Sequence, residues 1–154
     1  MNDIQALRIL LVEDNLHDIE IARRAFSKGH IRNELFIVRD GEKALDYLYR
    51  QGVYHIREMA PRPGMILLDL NLPKVSGWEV LKQIKQDRGL KSIPVVVLTV
   101  SNREEDIHLC YNLGVNTYIQ KPVEFVEFLR VINTIQEYWG LAALLPPVPH
   151  RGGF

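Results

Sequence analysis

The sequence predicts an α/β fold, a doubly wound parallel sheet of five strands with helices on both faces. Short apolar runs alternate five times with stretches of helical periodicity, which is the pattern of repeated βα units. Three of the runs are apolar throughout rather than alternating in polarity, as strands covered on both faces must be. Four of the runs also close on a polar or charged residue: Arg8 to Val12 on Glu13-Asp14, Met65 to Leu68 on Asp69, Val95 to Leu98 on Thr99, and Thr117 to Gln120 on Lys121-Pro122. Ligands of open parallel sheets bind outside the carboxyl ends of the strands. Three carboxylates, a hydroxyl and an ammonium are therefore expected to share one crevice.

The elements follow in order. Strand one is expected over 8–13 and helix one over 17–28, with Ile19, Ala22, Ala25 and Phe26 forming its apolar stripe. Strand two is read over 34–39 from Leu35-Phe36-Ile37-Val38, and its charged ends make it an edge candidate. Helix two starts near Gly41 and runs through Ala44, Leu45, Leu48 and Tyr49. Residues 50–64 carry Gly52, Pro61, Pro63 and Gly64 and read as a long loop. Strand three is expected over 65–69. Helix three follows Ser76-Gly77, with Val80, Leu81 and Ile84 inward. Strand four is expected over 94–99, helix four over 103–113 with Gly114 as its C-terminal cap, strand five over 116–120 and helix five over 124–138. The first 140 residues thus read as one domain, and 141–154 as an apolar, proline-containing tail expected to pack on its own domain, a twin subunit or a partner.

The 154 residues are enough for one domain with a sizeable core. Nineteen basic and nineteen acidic residues cancel, which argues against a broad nucleic-acid footprint. The single cysteine, Cys110, excludes an intramolecular disulfide and reads as a small buried hydrophobe of helix four. No apolar stretch approaches the roughly twenty residues that cross a bilayer, and the N-terminus lacks signal-peptide character. A soluble, cytoplasmic protein without membrane or nucleic-acid partners is expected. The five histidines are scattered without metal-ligand spacing.

Each site residue has an ordinary reading of its own: Asp14 as a helix cap, Glu13 as a solvated charge, Asp69 as a turn aspartate, Thr99 as a strand-end hydroxyl, Lys121 as a surface lysine. Their joint pattern is what points to chemistry. Clustered carboxylates raise one another's pKa unless a cation intervenes. Mg2+ suits the set, because it takes hard oxygen ligands and commonly bridges one or two carboxylates and a phosphate.

The segments Val12-Glu13-Asp14-Asn15, Leu68-Asp69-Leu70-Asn71-Leu72-Pro73-Lys74-Val75-Ser76-Gly77, Leu98-Thr99 and Tyr118-Ile119-Gln120-Lys121-Pro122 resemble the signatures of CheY-like receiver domains of two-component response regulators. The resemblance spans about residues 7–138, with the motifs in the family's order. It implies a flavodoxin-like (βα)5 fold with strand order 2-1-3-4-5. It implies Asp69 as phosphoacceptor, taking a phosphoryl group from a phosphohistidine of a sensor histidine kinase. Asp14 would bind Mg2+ directly, Glu13 through water, with Asp69 and the Asn71 carbonyl completing the metal site. Thr99 would move toward the phosphoryl oxygens, Lys121 would pair with them across a cis bond to Pro122, and Tyr118 would be the aromatic switch. The surface of helix four, strand five and helix five would change as a result.

Val100 departs from the small residue frequent in the family after the switch threonine, and its bulk is expected to narrow access for small donors. Asn71 and Ser101 lie where members of the family tune dephosphorylation. The long loop and tail resemble stand-alone receivers serving bacterial phytochrome-type kinases. With no room for an effector domain after helix five, output is expected through protein contact. The apolar excess of helix five, from Phe125 to Trp139, with Leu141, Leu144 and Leu145, predicts a homodimer through helix five, strand five or the tail.

Two other classes compete. A small aspartyl-phosphate phosphohydrolase needs a second aspartate two residues after the nucleophile, where Asn71 stands. A flavodoxin-type cofactor binder needs a phosphate loop after strand one, where Glu13-Asp14 would repel a phosphate.

Overall fold

The structure, a computed structural model, describes residues 6–29 and 31–142. Most of the tail expected at 141–154 lies outside the described residues. The chain alternates β1 (Leu7–Val12), α1 (Leu16–Lys28), β2 (Asn33–Val38), α2 (Gly41–Tyr49), β3 (Met65–Leu68), α3 (Gly77–Gln86), β4 (Val95–Thr99), α4 (Glu104–Leu113), β5 (Thr117–Gln120) and α5 (Phe125–Glu137), then a π-helical turn at Tyr138–Ala142. The strands form one parallel sheet in the order β2-β1-β3-β4-β5, and β2 is an edge strand as its charges suggested.

Successive side chains of a strand point to opposite faces, and the core divides accordingly. Leu10, Val12, Ile66, Leu68, Val95 and Val97 pack with Ala44, Tyr47 and Leu48 of α2, Val80, Leu81 and Ile84 of α3, and Cys110 of α4. Ile9, Leu11, Met65, Leu67, Val96 and Leu98 pack with Ile19, Ala22 and Phe26 of α1 and with Phe128, Ile132 and Ile135 of α5. Each Val, Leu, Ile, Met or Phe among them contributes about 1.5–3 kcal/mol by leaving water. Helices α1 and α5 thus cover one face, and α2, α3 and α4 the other.

Local chemistry sets where helices begin. Asn15, Asp40 and Ser76 cap α1, α2 and α3 by accepting the backbone N–H groups of Asp18, Lys43 and Glu79. Asn15 therefore fills the capping role considered for Asp14. Gly114 ends α4 at a φ of 100°, the left-handed conformation glycine adopts without cost. The loop expected at 50–64 holds two short 3-10 turns, Gly52–Tyr54 and Arg57–Met59. It is anchored where the Tyr47 hydroxyl donates to the Pro61 carbonyl at 2.8 Å.

One polar side chain of α5 itself is buried. Gln136 is buried, and its Oε1 accepts from Asn33 Nδ2 at 2.9 Å. The same Asn33 amide donates to the carbonyls of Phe26 and Ile31. This network joins α1, β2 and α5 where buried amide groups need partners.

Candidate functional site: an acidic crevice at the carboxyl edge of the sheet

Three site residues sit one position past the end of a strand, and the sheet's own hydrogen bonds fix them there. The Glu13 N–H donates to the Val38 carbonyl at 3.0 Å, the Asp69 N–H to Val12 at 3.1 Å and the Lys121 N–H to Thr99 at 2.6 Å. Each is the last rung between neighbouring strands. The parallel order β1-β3-β4-β5 then brings residues from positions 13 to 121 into one crevice.

At its centre lies Lys121, a buried lysine. Its Nζ donates to Glu13 Oε1 at 2.5 Å, to Asp18 Oδ2 at 2.8 Å and to Asp69 Oδ2 at 2.8 Å. An ammonium has three hydrogens, so its donors are fully used. Burial alone would lower the Lys121 pKa, but the hydrogen bonds it donates to Asp18, Asp69 and Glu13 outweigh it and hold the ammonium above the usual lysine range. The pKa of Glu13 is raised as well, which here favours the neutral form. Burial, with a smaller push from the charge of Asp69, raises its carboxyl to about 7 despite the pull of Lys121.

Glu13, Asp14 and Asp69 each place a carboxylate oxygen within 4.8 Å of the others. Glu13 and Asp69 are buried and Asp14 is half-buried. The second oxygens are partly engaged: Glu13 Oε2 accepts the Asn15 N–H at 3.2 Å, and Asp69 Oδ1 accepts the Asn71 N–H at 3.1 Å. Three hard oxygen donors within reach of one another, two of them removed from water, make this trio fit for a divalent ion.

Thr99, at the end of β4, is buried, and among the described residues its Oγ1 has no hydrogen-bond partner. A buried hydroxyl without a partner costs free energy comparable to a lost hydrogen bond. It is a donor held ready beside the carboxylates' strand ends. Tyr118 is half-buried, and its hydroxyl donates to the Ser101 carbonyl at 2.9 Å. Burial raises its pKa. In the β4–α4 turn, Ser101 Oγ donates to Asp106 Oδ2 at 2.5 Å, and the Gln120 side chain reaches the Val100 carbonyl at 3.5 Å.

The β3–α3 loop is held more tightly. An ideal Cβ on Gly77 would stand 2.1 Å from the Asp69 carbonyl oxygen, so only glycine fits there. One on Gly41 would stand 1.9 Å from the Val75 carbonyl oxygen. The Gly41 N–H donates to the Pro73 carbonyl, and Lys74, at a φ of 67°, pairs with Asp40 at 3.8 Å.

The structure gathers Glu13, Asp14, Asp69, Thr99 and Lys121 as the four strand-closing runs predicted. It differs in the Lys121–Pro122 bond, which is trans. A trans bond is the lower-energy form by about 0.5–1 kcal/mol, and the Lys121 N–H already closes the turn onto Thr99. Sequence reading missed Asp18. It sits in the first turn of α1, 103 positions from Lys121, where an acidic residue reads as a complement to the helix dipole. Val100 stands at the rim with 63% of its surface exposed. No helix among the described residues is long and apolar enough to cross a membrane.

Comparison with known proteins agrees with this geometry. Residues 9–133 match the model of the response regulator receiver domain. The response regulator Rcp1 of Synechocystis sp. is 44% identical over 138 residues, which span 90% of this chain and 92% of Rcp1. The crystal structure of the phosphorylated cyanobacterial phytochrome response regulator RcpA superposes with a TM-score of 0.88 at 44% identity, covering 93% of this chain and all of that one. The Mn2+-bound form of Rcp1 gives 0.85 at 44% identity, with 91% of this chain and 99% of that one covered. A five-stranded sheet in the order 2-1-3-4-5, an acidic trio at its carboxyl edge and a matching family model over most of the sequence lead to one conclusion: this chain belongs to the response regulator receiver domains, the phosphorylatable modules of two-component signalling.

Proposed function

We propose that the protein is a response regulator that accepts a phosphoryl group on Asp69 from a phosphohistidine of a sensor kinase, in a Mg2+-dependent reaction, and signals through a changed protein surface. The observation that carries this reading is the Lys121 ammonium, 2.8 Å from Asp69 Oδ2 inside a crevice that also holds Glu13 and Asp14. An Asp69 oxygen forms the new bond to phosphorus while the P–N bond to imidazole breaks, and the nitrogen keeps that electron pair. Little covalent chemistry is asked of the protein, so positioning and charge dominate.

The fixed strand ends supply positioning. Lys121 offsets negative charge on the transferred oxygens. Glu13, Asp14, Asp69 and the Asn71 carbonyl would hold Mg2+, which supplies further charge neutralisation when bound. The buried Thr99 hydroxyl has a hydrogen to donate to a phosphoryl oxygen. Thr99 and Ser101 belong to one turn, and Ser101 holds the Tyr118 hydroxyl. Movement of Thr99 toward the phosphoryl group therefore alters the footing of Tyr118, and with it the α4–β5–α5 surface.

The partner surface follows from what surrounds the crevice. Leu16, Val100 and Val123 are exposed hydrophobic residues, each within two positions of a site residue. Such a rim suits the helices of a kinase that present a phosphohistidine. The resemblance to RcpA favours a phytochrome-type sensor, working in the cytoplasm. A homodimer is the proposed output form. On the β5–α5 side an apolar cleft of about 310 Å³ is lined by Val96, Ile119, Val131, Ile135 and Trp139, among others, and Val126 and Tyr138 of the same side are exposed.

Incubation with a phosphorylated histidine kinase and Mg2+ tests the acceptor. Label should appear on the wild type and not on Asp69→Asn; equal label on both rejects Asp69. Light scattering at high concentration, with and without a phosphate mimic, tests the dimer. A monodisperse monomer in both conditions rejects it.

A further inference from the structure

Lys121 is more heavily engaged than phosphoryl chemistry at Asp69 requires. Two of its three carboxylate partners, Glu13 and Asp69, belong to the trio that could hold a cation. The third, Asp18, lies outside that trio and comes from a different element, the first turn of α1. Its backbone N–H is bonded to the capping Asn15 Oδ1 at 3.0 Å, so the turn that carries it is fixed. Its side chain is only 19% exposed, which limits screening by water.

We propose that Asp18 is a positioning residue that competes with the incoming phosphoryl group for Lys121 and thereby restrains phosphorylation of Asp69. This rests on Asp69 being the acceptor. All three ammonium hydrogens are taken before a donor arrives. Charge on Asp69 and Glu13 can be taken up by a divalent cation, and Asp69 is consumed in the new P–O bond. Asp18 has neither outlet. It stays 2.8 Å from Nζ and weakens the ammonium's offset of charge on the transferred oxygens.

The Asp18 carboxylate also places a negative charge directly on Lys121, and a phosphoryl donor is itself an anion that this charge repels. The reaction is unchanged in its balance: an Asp69 oxygen bonds to phosphorus, the donor's bond to phosphorus breaks, and the leaving group keeps the electron pair.

The test uses the full chain with Mg2+ and phosphoramidate as the donor, and measures the initial rate of Asp69 labelling for wild type, Asp18→Asn, Asp18→Ala and Asp18→Glu. Urea unfolding of each variant is followed in parallel. The Asn and Ala variants should label about fivefold faster, the scale of one partly exposed charge pair. The Glu variant should return to the wild-type rate, because it restores the competing charge. Unchanged or slower labelling of Asp18→Asn and Asp18→Ala overturns the inference. So does acceleration in all three variants, since a disturbed α1 would not distinguish Glu from Asn. If phosphoramidate does not label the wild type, the same four proteins are compared with a phosphorylated histidine kinase as donor; no wild-type label from either donor means that the Asp69 reading itself fails, and this inference falls with it.

Discussion

The metal-free protein should be destabilised above neutral pH by its own Glu13. Burial raises that carboxyl from 4.5 to about 7. Between those values the folded chain holds a proton that the unfolded chain has already lost. The stability linked to that proton is complete below pH 4.5 and disappears as pH rises through about 7. At 1.36 kcal/mol per pH unit, the interval amounts to about 3 kcal/mol. Glu13→Gln keeps an oxygen for Lys121 and carries no charge. In EDTA at pH 8 this variant should therefore be more stable than wild type by about 3 kcal/mol. For a chain of this size the Tm should rise by about 2–4 °C per kcal/mol. The advantage should shrink on acidification and be gone near pH 4.5. Saturating Mg2+ should cut into it at pH 8, because ligand bound only to the folded state stabilises that state. Urea unfolding of both proteins from pH 4.5 to 8 gives the difference curve directly. A flat curve would refute the argument that an ionised Glu13 is held at a cost.

Three further outcomes are expected. Gly77→Ala must move the Asp69 carbonyl, 2.1 Å from where its Cβ would stand; Tm should fall by the equivalent of about 1–3 kcal/mol and Asp69 labelling should slow, both measured on the purified variant. Tyr118→Phe loses the hydroxyl bond to the Ser101 carbonyl and should cost about 1 kcal/mol in urea unfolding, with the rate of labelling by phosphoramidate nearly unchanged. Cys110 is fully buried and its thiol is pushed up to about 12 by burial, with a smaller push from Asp106; a thiol reagent at pH 8 should leave it unmodified in the native protein and react fully in urea.

Much of the site was legible because strand ends in a parallel sheet are collected by topology. An apolar run that closes on Glu13, Asp69, Thr99 or Lys121 places that residue on the rim whatever the rest of the chain does. Element boundaries shifted by about a residue, since the charged residue that closes each run stands just past the last paired strand position. Asp18 was not legible. Its approach to Lys121 depends on how α1 packs beside β5's end, and nothing within a few residues of it signals a partner 103 positions away. The capping role that is Asp14's ordinary reading belongs to its neighbour, because Asp14 and Asn15 are both good capping types and only geometry chooses Asn15. Nothing beside Gln136 in the sequence signals that it is buried. Its burial follows from Asn33, which lies on another element and needs an acceptor.

The loop after β3 and the turn after β4 flank the same aspartate but differ in stiffness. On one flank, glycines at 41 and 77 let backbone meet backbone with no slack. On the other, side-chain hydrogen bonds from Ser101, Tyr118 and Gln120 are the ties. A push delivered at Asp69 is therefore deflected: the α2 flank acts as an abutment, and the yielding happens toward α4 and β5. Were Asp69 to carry a phosphoryl group, as proposed above, a reader on this compliant flank would sense it while the crevice kept its shape for the next donor.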